Sequence, residues 1–287
     1  MPTWLKITLG VVGIVAAGTA AALWAGSARW QRATGQAVDS LLQATLQGGI
    51  GAVDFATLDQ LPPPVAAYFR FALTDGQPLV KSARITSTGQ FNAGESAGSW
   101  APFEATQVFA AQPPGFVWNA SIRMAPLMDV RVRDGYEGGR GSMFGAVAGI
   151  IPVIDQSGAP ELNAGALIRY LAEAVWLPTA LLPANGVVWT PINERAALAT
   201  LSDSGVTVSL EFHFDDAGRL TRIYTPARPR EVNGAYEMAA WEARFERYEA
   251  HDGMQIPVEA IVEWQLPDKT LPYWKGRIVE TEYDFGP

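Results

Sequence analysis

Apolar and polar side chains alternate along most of the chain beyond residue 79. The longest alternating run extends from Met254 to Leu266, another extends from Val206 to Phe214, and shorter runs begin at Phe116 and at Met128. A period of two is typical of antiparallel strands that have one buried and one solvent-facing side. Turn sequences such as Asp203-Ser204-Gly205 separate the runs. The pattern therefore predicts about ten antiparallel strands.

Two segments have the period of an α-helix instead. Between residues 161 and 177, one helical face collects Leu167, Tyr170, Leu171, Ala174 and Val175. A short helix is predicted over about residues 64–73, where proline occupies the first turn. The apolar face of the longer helix must be buried against the strands. The sequence therefore predicts a mainly β fold, in which a strongly curved antiparallel sheet, an incomplete barrel, wraps around this helix or is plugged by it.

The N-terminal segment has neither pattern. From Ile7 to Ala28 no side chain is charged, and an uncharged apolar run of this length is typical of a membrane-spanning helix. A cleaved signal peptide is the alternative, because Ala25-Gly26-Ser27 supplies the small residues that a signal peptidase needs. The run is longer than the usual apolar core of a signal peptide. We therefore predict an uncleaved, single-pass transmembrane helix that contacts the membrane through residues 7–28.

These patterns divide the chain into three parts. The transmembrane anchor occupies residues 1–28, and a helical stalk or linker, in which Gly48-Gly49 ends the helix, occupies residues 29–60. The curved β domain, which includes the two short helices, is predicted over residues 61–287.

Composition and charge exclude several classes of function. The chain is 48% hydrophobic and contains 10 Trp, 12 Phe and 8 Tyr, which is enough to build a packed core. With a net charge of -8, it lacks the basic excess that nucleic-acid binding requires. Cysteine is absent, and the two histidines, His213 and His251, are not at a metal-ligand spacing. We therefore expect no catalytic group, no metal or other cofactor, and no enzymatic activity.

Several motifs resemble those of a bacterial family of unknown function. They are Leu61-Pro62-Pro63-Pro64-Val65 with Tyr68, Phe116-Val117-Trp118-Asn119-Ala120, Asp134-Gly135-Tyr136 with Gly139 and Gly141, and the helical run from Arg169 to Pro178. The resemblance extends over residues 60–285 and is most specific in the helical run. It implies no activity.

The predicted architecture is also similar to the half-barrels of periplasmic lipoprotein carriers and of mycobacterial lipid-binding lipoproteins. Those proteins hold acyl chains between a sheet and a helix, so the similarity implies a lipid-like ligand. The present chain has no cysteine to carry a lipid. Its transmembrane helix would take the place of the lipid anchor.

The large aromatic side chains are the strongest remaining signal. They either fill the core completely or leave part of the inner side of the sheet open as an apolar ligand cavity. On the helix, Arg169 and Glu173 are four positions apart, so they either pair with each other or position a polar head group at the cavity mouth. The candidate ligand-binding residues are Trp118, Tyr136, Arg169, Tyr170, Glu173, Trp176, Trp189, Trp241 and Trp264.

The sequence thus predicts a bacterial single-pass protein of the inner (cytoplasmic) membrane, with the β domain outside the cytoplasm. In this hypothesis the β domain binds a hydrophobic, lipid-like ligand between sheet and helix. The alternative is a non-catalytic scaffold or interaction domain of the cell envelope with a solidly packed core, whose protein partner the sequence does not identify. A continuous apolar cavity would favour ligand binding, and a filled core would favour the scaffold.

Overall fold

The computed structural model describes residues 2–45, 51–92, 94, 99–126 and 128–286, without the side chains of residues 5–7, 10–13 and 15. The helices are α1 (Thr3–Thr45), α2 (Phe55–Leu58), α3 (Pro63–Ala72) and α4 (Pro160–Glu173), and short 3-10 helices follow at Ala174–Trp176, Pro178–Leu181 and Pro183–Asn185. The strands are β1 (Ser82–Asn92), β2 (Trp100–Ala110), β3 (Gly115–Ala125), β4 (Met128–Glu137), β5 (Arg140–Val147), β6 (Ile151–Ser157), β7 (Val188–Asn193), β8 (Ala196–Asp203), β9 (Val206–Phe214), β10 (Leu220–Val232), β11 (Ala235–His251), β12 (Met254–Gln265) and β13 (Thr270–Asp284).

All thirteen described strands belong to one antiparallel sheet, which confirms the predicted mainly β fold. The strand order is β6-β5-β4-β3-β2-β1-β13-β12-β11-β10-β9-β8-β7. The chain therefore enters the sheet in its middle, runs to one edge, crosses to the other edge and returns to the middle. The edge strands β6 and β7 do not pair with each other, so the sheet is not closed into a barrel.

Helix α4 lies in the crossover between the two edges and packs against one face of the sheet. It contacts β3, β4 and β5 in one half of the sheet and β9 and β10 in the other half. Five strands separate these two groups in the strand order. At about 4.8 Å per strand, they span far more than the diameter of a helix, which is about 10–12 Å. The sheet must therefore curve around α4, and we call the face that α4 covers the inner face.

The two helices predicted within the β domain have counterparts in the structure. Helix α3 begins at Pro63 and buries Val65, Tyr68 and Phe69 against the sheet. Helix α4 buries Leu167 and Leu171 completely, and a 3-10 helix continues it as far as Trp176. The local patterns of residues 64–73 and 161–177 thus correspond to helices that cover apolar strand faces.

The C-terminal part of α1 packs on the outer face of the sheet. Leu41, which is 2% exposed, lies in a small buried cluster with side chains of β2 and β3: Val108, Ala110 and Val117. Nearer the N-terminus, Trp30 Nε1 donates a hydrogen bond of 2.8 Å to Asn119 Oδ1. Residues of the predicted stalk therefore lie against the β domain. The predicted helix end at Gly48-Gly49 lies outside the described residues.

No helix among the described residues is long and apolar enough to cross a membrane. The transmembrane helix predicted over residues 7–28 is thus not found among the described residues. The side chains of residues 7, 10–13 and 15 in that segment lie outside the described residues.

Candidate ligand-binding site

A cavity of about 120 Å³ lies between α4 and the inner face of the sheet. Its wall is mainly aromatic and aliphatic, and is formed by Phe91, Trp118, Ala172, Trp176, Trp241, Ala243, Phe245, Ala260, Val262, Tyr273 and Trp274. Four charged side chains also line it: Asp134, Arg169, Glu173 and Arg228. A cavity of this size has room for several water-sized groups. The core is therefore not completely filled at this place.

Three alanines account for the space that remains between the large side chains. Ala172 lies on α4, Ala243 on β11 and Ala260 on β12, and all three line the cavity. The strand register places Ala260 opposite Phe245, so a methyl group faces an aromatic ring across the two strands. The cavity thus results from the sizes of side chains on facing elements.

A pair of glycines shapes the cavity wall between β1 and β13. Gly89 and Gly276 are directly opposite each other in the register of these strands. A Cβ atom at Gly89 would clash with the carbonyl oxygen of Lys275, and one at Gly276 would clash with the ring of Trp274. The two backbones therefore approach closely. The ring of Trp274 can lie across Gly276 and form part of the wall.

Arg169 is the centre of a polar network on one side of the cavity. Its Nη1 donates to Asp134 Oδ2 at 2.5 Å, and its Nε donates to Glu173 Oε1 at 2.8 Å. Gln107 Nε2 donates to the other carboxylate oxygen of Glu173 at 2.7 Å. The guanidinium carbon of Arg169 also lies 4.8 Å from the centroid of the Trp118 ring. The network fixes α4 to β2 and β4, and it contains the Arg169–Glu173 pair that the helical spacing predicts.

Burial and neighbouring charges shift two pKa values in this network. Burial raises the pKa of Glu173 above its ordinary value, although the Arg169 guanidinium and the Gln107 amide act in the opposite direction. Burial by itself would lower the pKa of Arg169, but the carboxylates of Glu173 and Asp134 outweigh burial and raise that pKa. Two carboxylates share one guanidinium, so the network carries one formal negative charge when both are ionised.

Arg228 on β10 lies at another part of the cavity wall. Its guanidinium carbon is 4.7 Å from the ring centroid of Trp241 and 5.6 Å from that of Trp264. Nη1 donates to the Tyr273 hydroxyl at 3.1 Å, and Nη2 donates to the carbonyl of Gly165 on α4 at 3.2 Å. Arg228 Nε is buried and has no hydrogen-bond partner among the described residues. Arg228 therefore links the second half of the sheet to α4.

Five of the nine candidate residues predicted from the sequence line the cavity: Trp118, Arg169, Glu173, Trp176 and Trp241. Trp264 lies next to the cavity wall without lining it. Its ring stacks on that of Tyr273, with 5.9 Å between the centroids, and it faces Arg228. The structure thus brings six of the predicted residues together around one site. Their role in ligand binding stays a prediction.

The other three candidate residues have partners elsewhere in the core. The Tyr136 hydroxyl donates to Asp203 Oδ2 at 2.9 Å, which joins β4 to the end of β8. The Tyr170 hydroxyl and Trp189 Nε1 each donate to a backbone carbonyl, at 3.1 Å and 3.0 Å respectively. Burial raises the pKa of Tyr136 and of Tyr170 well above the ordinary value. These three side chains join parts of the core and do not line the cavity.

Arg228 and Tyr273 are not among the residues predicted from the sequence. The pairing of β10 with β11 is irregular between Thr225 and Arg228, and Tyr273 lies beside an irregularity in the pairing of β12 with β13. Such an irregularity changes which side chains face inwards, so simple alternation does not place these residues. Pro226 and Pro229 are the available signal, because proline within a strand marks a break in regular pairing.

Every charged side chain of the cavity lining is an aspartate, a glutamate or an arginine. The described lining residues include no serine, threonine or histidine. His213 Nε2 is 3.2 Å from Glu211 Oε2, and His251 Nδ1 is 3.0 Å from the Thr281 hydroxyl, so both histidines have partners away from the cavity. In the described part of the chain there is no group of three or more acidic or histidine side chains that could hold a metal ion.

Residues 59–283 match the model of a family of unknown function, DUF6920. The chain belongs to this family. The match confirms the resemblance to an uncharacterised family, and its bounds agree closely with residues 60–285, over which that resemblance extends. Membership in DUF6920 assigns no activity to the cavity.

Two solved structures are similar to this DUF6920 protein. A LolA-superfamily protein from Nitrosomonas europaea is 9% identical with a TM-score of 0.38, over 82% of this chain and 96% of its own. A β-barrel-like DUF1849 protein from Brucella abortus is 12% identical with a TM-score of 0.26, over 72% of this chain and 98% of its own. The comparison with curated proteins finds no match. At these identities and scores, the two likenesses carry no argument about function.

Proposed function

We propose that this protein binds a small hydrophobic ligand in the cavity between α4 and the sheet, and that it catalyses no reaction. The observation that carries the proposal is the space of about 120 Å³ left unfilled in the core. Trp118, Trp176 and Trp241 around it are only 3–5% exposed. Side chains that border unfilled space lose contact energy, and a ligand that fills the space restores it.

The size of the cavity limits the ligand. Sites for drug-sized molecules have volumes of about 300–1,000 Å³, which is larger than the 120 Å³ present here. The site therefore fits one small ring or part of one hydrocarbon chain better than a lipid with several acyl chains. The cavity is not fully enclosed, so a longer chain would extend through its open side. Its aromatic walls favour an apolar group.

The location proposed for the protein is the one predicted from the sequence, at a bacterial inner membrane with the β domain outside the cytoplasm. The absence of charged side chains over residues 7–28 supports it. Protease treatment of intact spheroplasts tests it, with a cytoplasmic protein as control. Digestion of the β domain is expected, and its protection would contradict the proposed location.

Filling the cavity with a side chain tests ligand binding. Ala243→Leu adds three carbon atoms to the wall on β11, whereas Ala250→Leu makes the same change at an exposed position of the same strand. We expect the wild type and Ala250→Leu to bind 1-decanol in calorimetric titrations, and Ala243→Leu to bind it at least about 10-fold more weakly. Thermal unfolding of the variants confirms that both remain folded.

Two results would contradict the proposed function. The first is that the wild type does not bind 1-decanol, and that native mass spectra and solvent extracts of the purified protein contain no hydrophobic molecule. This result would favour the alternative hypothesis of a non-catalytic scaffold domain. Unchanged binding in a folded Ala243→Leu variant would place any bound ligand outside this cavity.

A further inference from the structure

The positive charge of Arg228 has no negative partner in the described protein. Its guanidinium is surrounded by two indole rings and by two neutral oxygen atoms, those of Tyr273 and Gly165. Arg169, the other arginine of the cavity wall, pairs with two carboxylates. An unpaired charge that is partly withdrawn from water is costly. The cavity wall therefore contains one positive charge, that of Arg228, without a carboxylate partner among the described residues.

Tyr273 places an unused hydrogen-bond donor at the same point. Its hydroxyl oxygen accepts from Arg228 Nη1 at 3.1 Å and from Trp241 Nε1 at 2.9 Å. A tyrosine hydroxyl has two acceptor positions and one proton to donate. Both acceptor positions are occupied, and none of the described residues accepts the proton. A hydrogen-bond acceptor on a ligand in the cavity would receive the proton of this hydroxyl.

We infer that the ligand of this cavity is an anionic amphiphile with one apolar chain, and that its oxyanion binds to Arg228 and to the Tyr273 hydroxyl. Both groups line the cavity, and the hydrogen bond between them brings them within reach of one carboxylate. Hydrogen bonds from a guanidinium to a carboxylate are among the strongest in proteins. The inference names the ligand class for the proposed function and rests on that function.

The distribution of charge around the cavity also orients such a ligand. Asp134 and Glu173 share the single guanidinium of Arg169, so an anionic head group is disfavoured beside them. The head group is attracted to Arg228 instead. The apolar chain is then left to contact aromatic rings of the lining, such as those of Trp176 and Trp274.

Three probes of equal chain length test the inference on the full wild-type chain: decanoate, 1-decanol and decylammonium, each below its micellar concentration. We expect decanoate to bind at least about 10-fold more tightly than 1-decanol, because the charge-assisted hydrogen bonds are added to the same apolar contacts. Decylammonium should bind most weakly. Equal binding of decanoate and 1-decanol would overturn this inference and leave the proposed function standing. Absence of binding by all three probes would overturn both.

Two variants locate the source of the preference. Arg228→Gln is expected to bind decanoate and 1-decanol equally. Tyr273→Phe removes only the hydroxyl and should weaken the binding of decanoate several-fold more than that of 1-decanol. Arg222→Gln is the control, because Arg222 lies on the same strand and pairs with Glu242 at 2.8 Å. A preference for decanoate that survives Arg228→Gln would contradict the inference. If Arg228→Gln does not fold, the inference is tested by Tyr273→Phe and by the three probes on the wild type.

Discussion

Arg169 separates two carboxylates that would otherwise repel each other in the core. The side chains of Asp134 and Glu173 are 9% and 19% exposed, and both pair with Arg169. Removal of one partner from a buried ion pair leaves uncompensated charge. The arginine therefore contributes to stability mainly through the charges that it balances.

Arg169→Met should lower the free energy of unfolding by about 3–5 kcal/mol at neutral pH, because it leaves two unpaired carboxylates. Arg84→Met is the matched control, since Arg84 pairs with Glu282 at 3.7 Å on the exposed surface. The control should cost no more than about 1 kcal/mol. Urea unfolding of both variants measures the difference, and similar losses in the two would contradict this account of the network.

The raised pKa of Glu173 makes stability depend on pH. The pKa is about 4.5 in an unfolded chain and is higher in the folded protein. Between these two values the folded state holds more protons than the unfolded state, so the free energy of unfolding falls as pH rises through this window. Glu173→Gln should abolish this part of the pH dependence. Unfolding of wild type and variant from about pH 4 to 8 checks it, and a difference independent of pH would show that the pKa is not raised.

At the residue scale, the sequence predicts contacts within one element better than contacts between elements. The spacing of Arg169 and Glu173 is sufficient to predict their pair. Asp134 is their third partner only because β4 lies beside α4, which helical spacing does not reveal. Arg228 faces the cavity because of an irregular strand pairing, and regular alternation gives no sign of it.

Glycines at the site have opposite roles in the helix and in the sheet. A Cβ atom at Gly165 in α4 would meet nothing within 4 Å, whereas one at Gly276 in β13 would clash with the ring of Trp274. Gly165→Ala should therefore raise the free energy of unfolding by about 0.5–1 kcal/mol. Gly276→Ala should lower it by about 1–3 kcal/mol and displace Trp274 from the cavity wall.

Chemical unfolding and near-ultraviolet circular dichroism of the two glycine variants test this contrast. The aromatic signal should change in Gly276→Ala and stay unchanged in Gly165→Ala. If the spectrum and the stability of Gly276→Ala are unaltered, the position of the Trp274 ring does not depend on the absence of a Cβ atom at Gly276.

At the element scale, the sequence best predicts the strands that have one buried and one exposed side. Strands β9 and β12 coincide with the two longest alternating runs. Strand β6 (Ile151–Ser157) is an edge strand in which no residue is fully buried, so its sequence lacks the apolar alternation that predicts a strand. The prolines Pro152 and Pro191 lie in the two edge strands, where a missing backbone donor limits pairing with other chains.

At the scale of the whole molecule, α1 is attached to the β domain over part of its length. Leu41 of α1 and Val53, which follows α1 in the chain, are each 2% exposed and belong to two different apolar clusters with the strands. The predicted domain boundary at residue 61 leaves both out, because sequence periodicity gives no information on which face of the sheet the helix covers.

Two truncated chains test the contribution of α1. A chain that begins at Ala28 keeps Leu41 and Val53, and we expect it to be as stable as the β domain of the full protein. A chain that begins at Ala56 loses both and should be less stable by about 3–6 kcal/mol, the value for burial of two large aliphatic side chains. Equal stability in urea unfolding would support the boundary predicted from the sequence.

The strand order also has a consequence for how the protein folds. Strands β1 to β6 and strands β7 to β13 form two meanders whose neighbours in space are neighbours along the chain, whereas β1 and β13 meet only after nearly the whole domain has been made. Closing so long a loop is entropically costly, so local pairings form more readily than distant ones. We expect the two meanders to form first, and the pairing of β1 with β13, which includes Gly89 and Gly276, to form last. The part of the cavity wall that contains Trp274 is then completed late in folding, and the pairing of β1 with β13 would be among the first to open in native-state fluctuations.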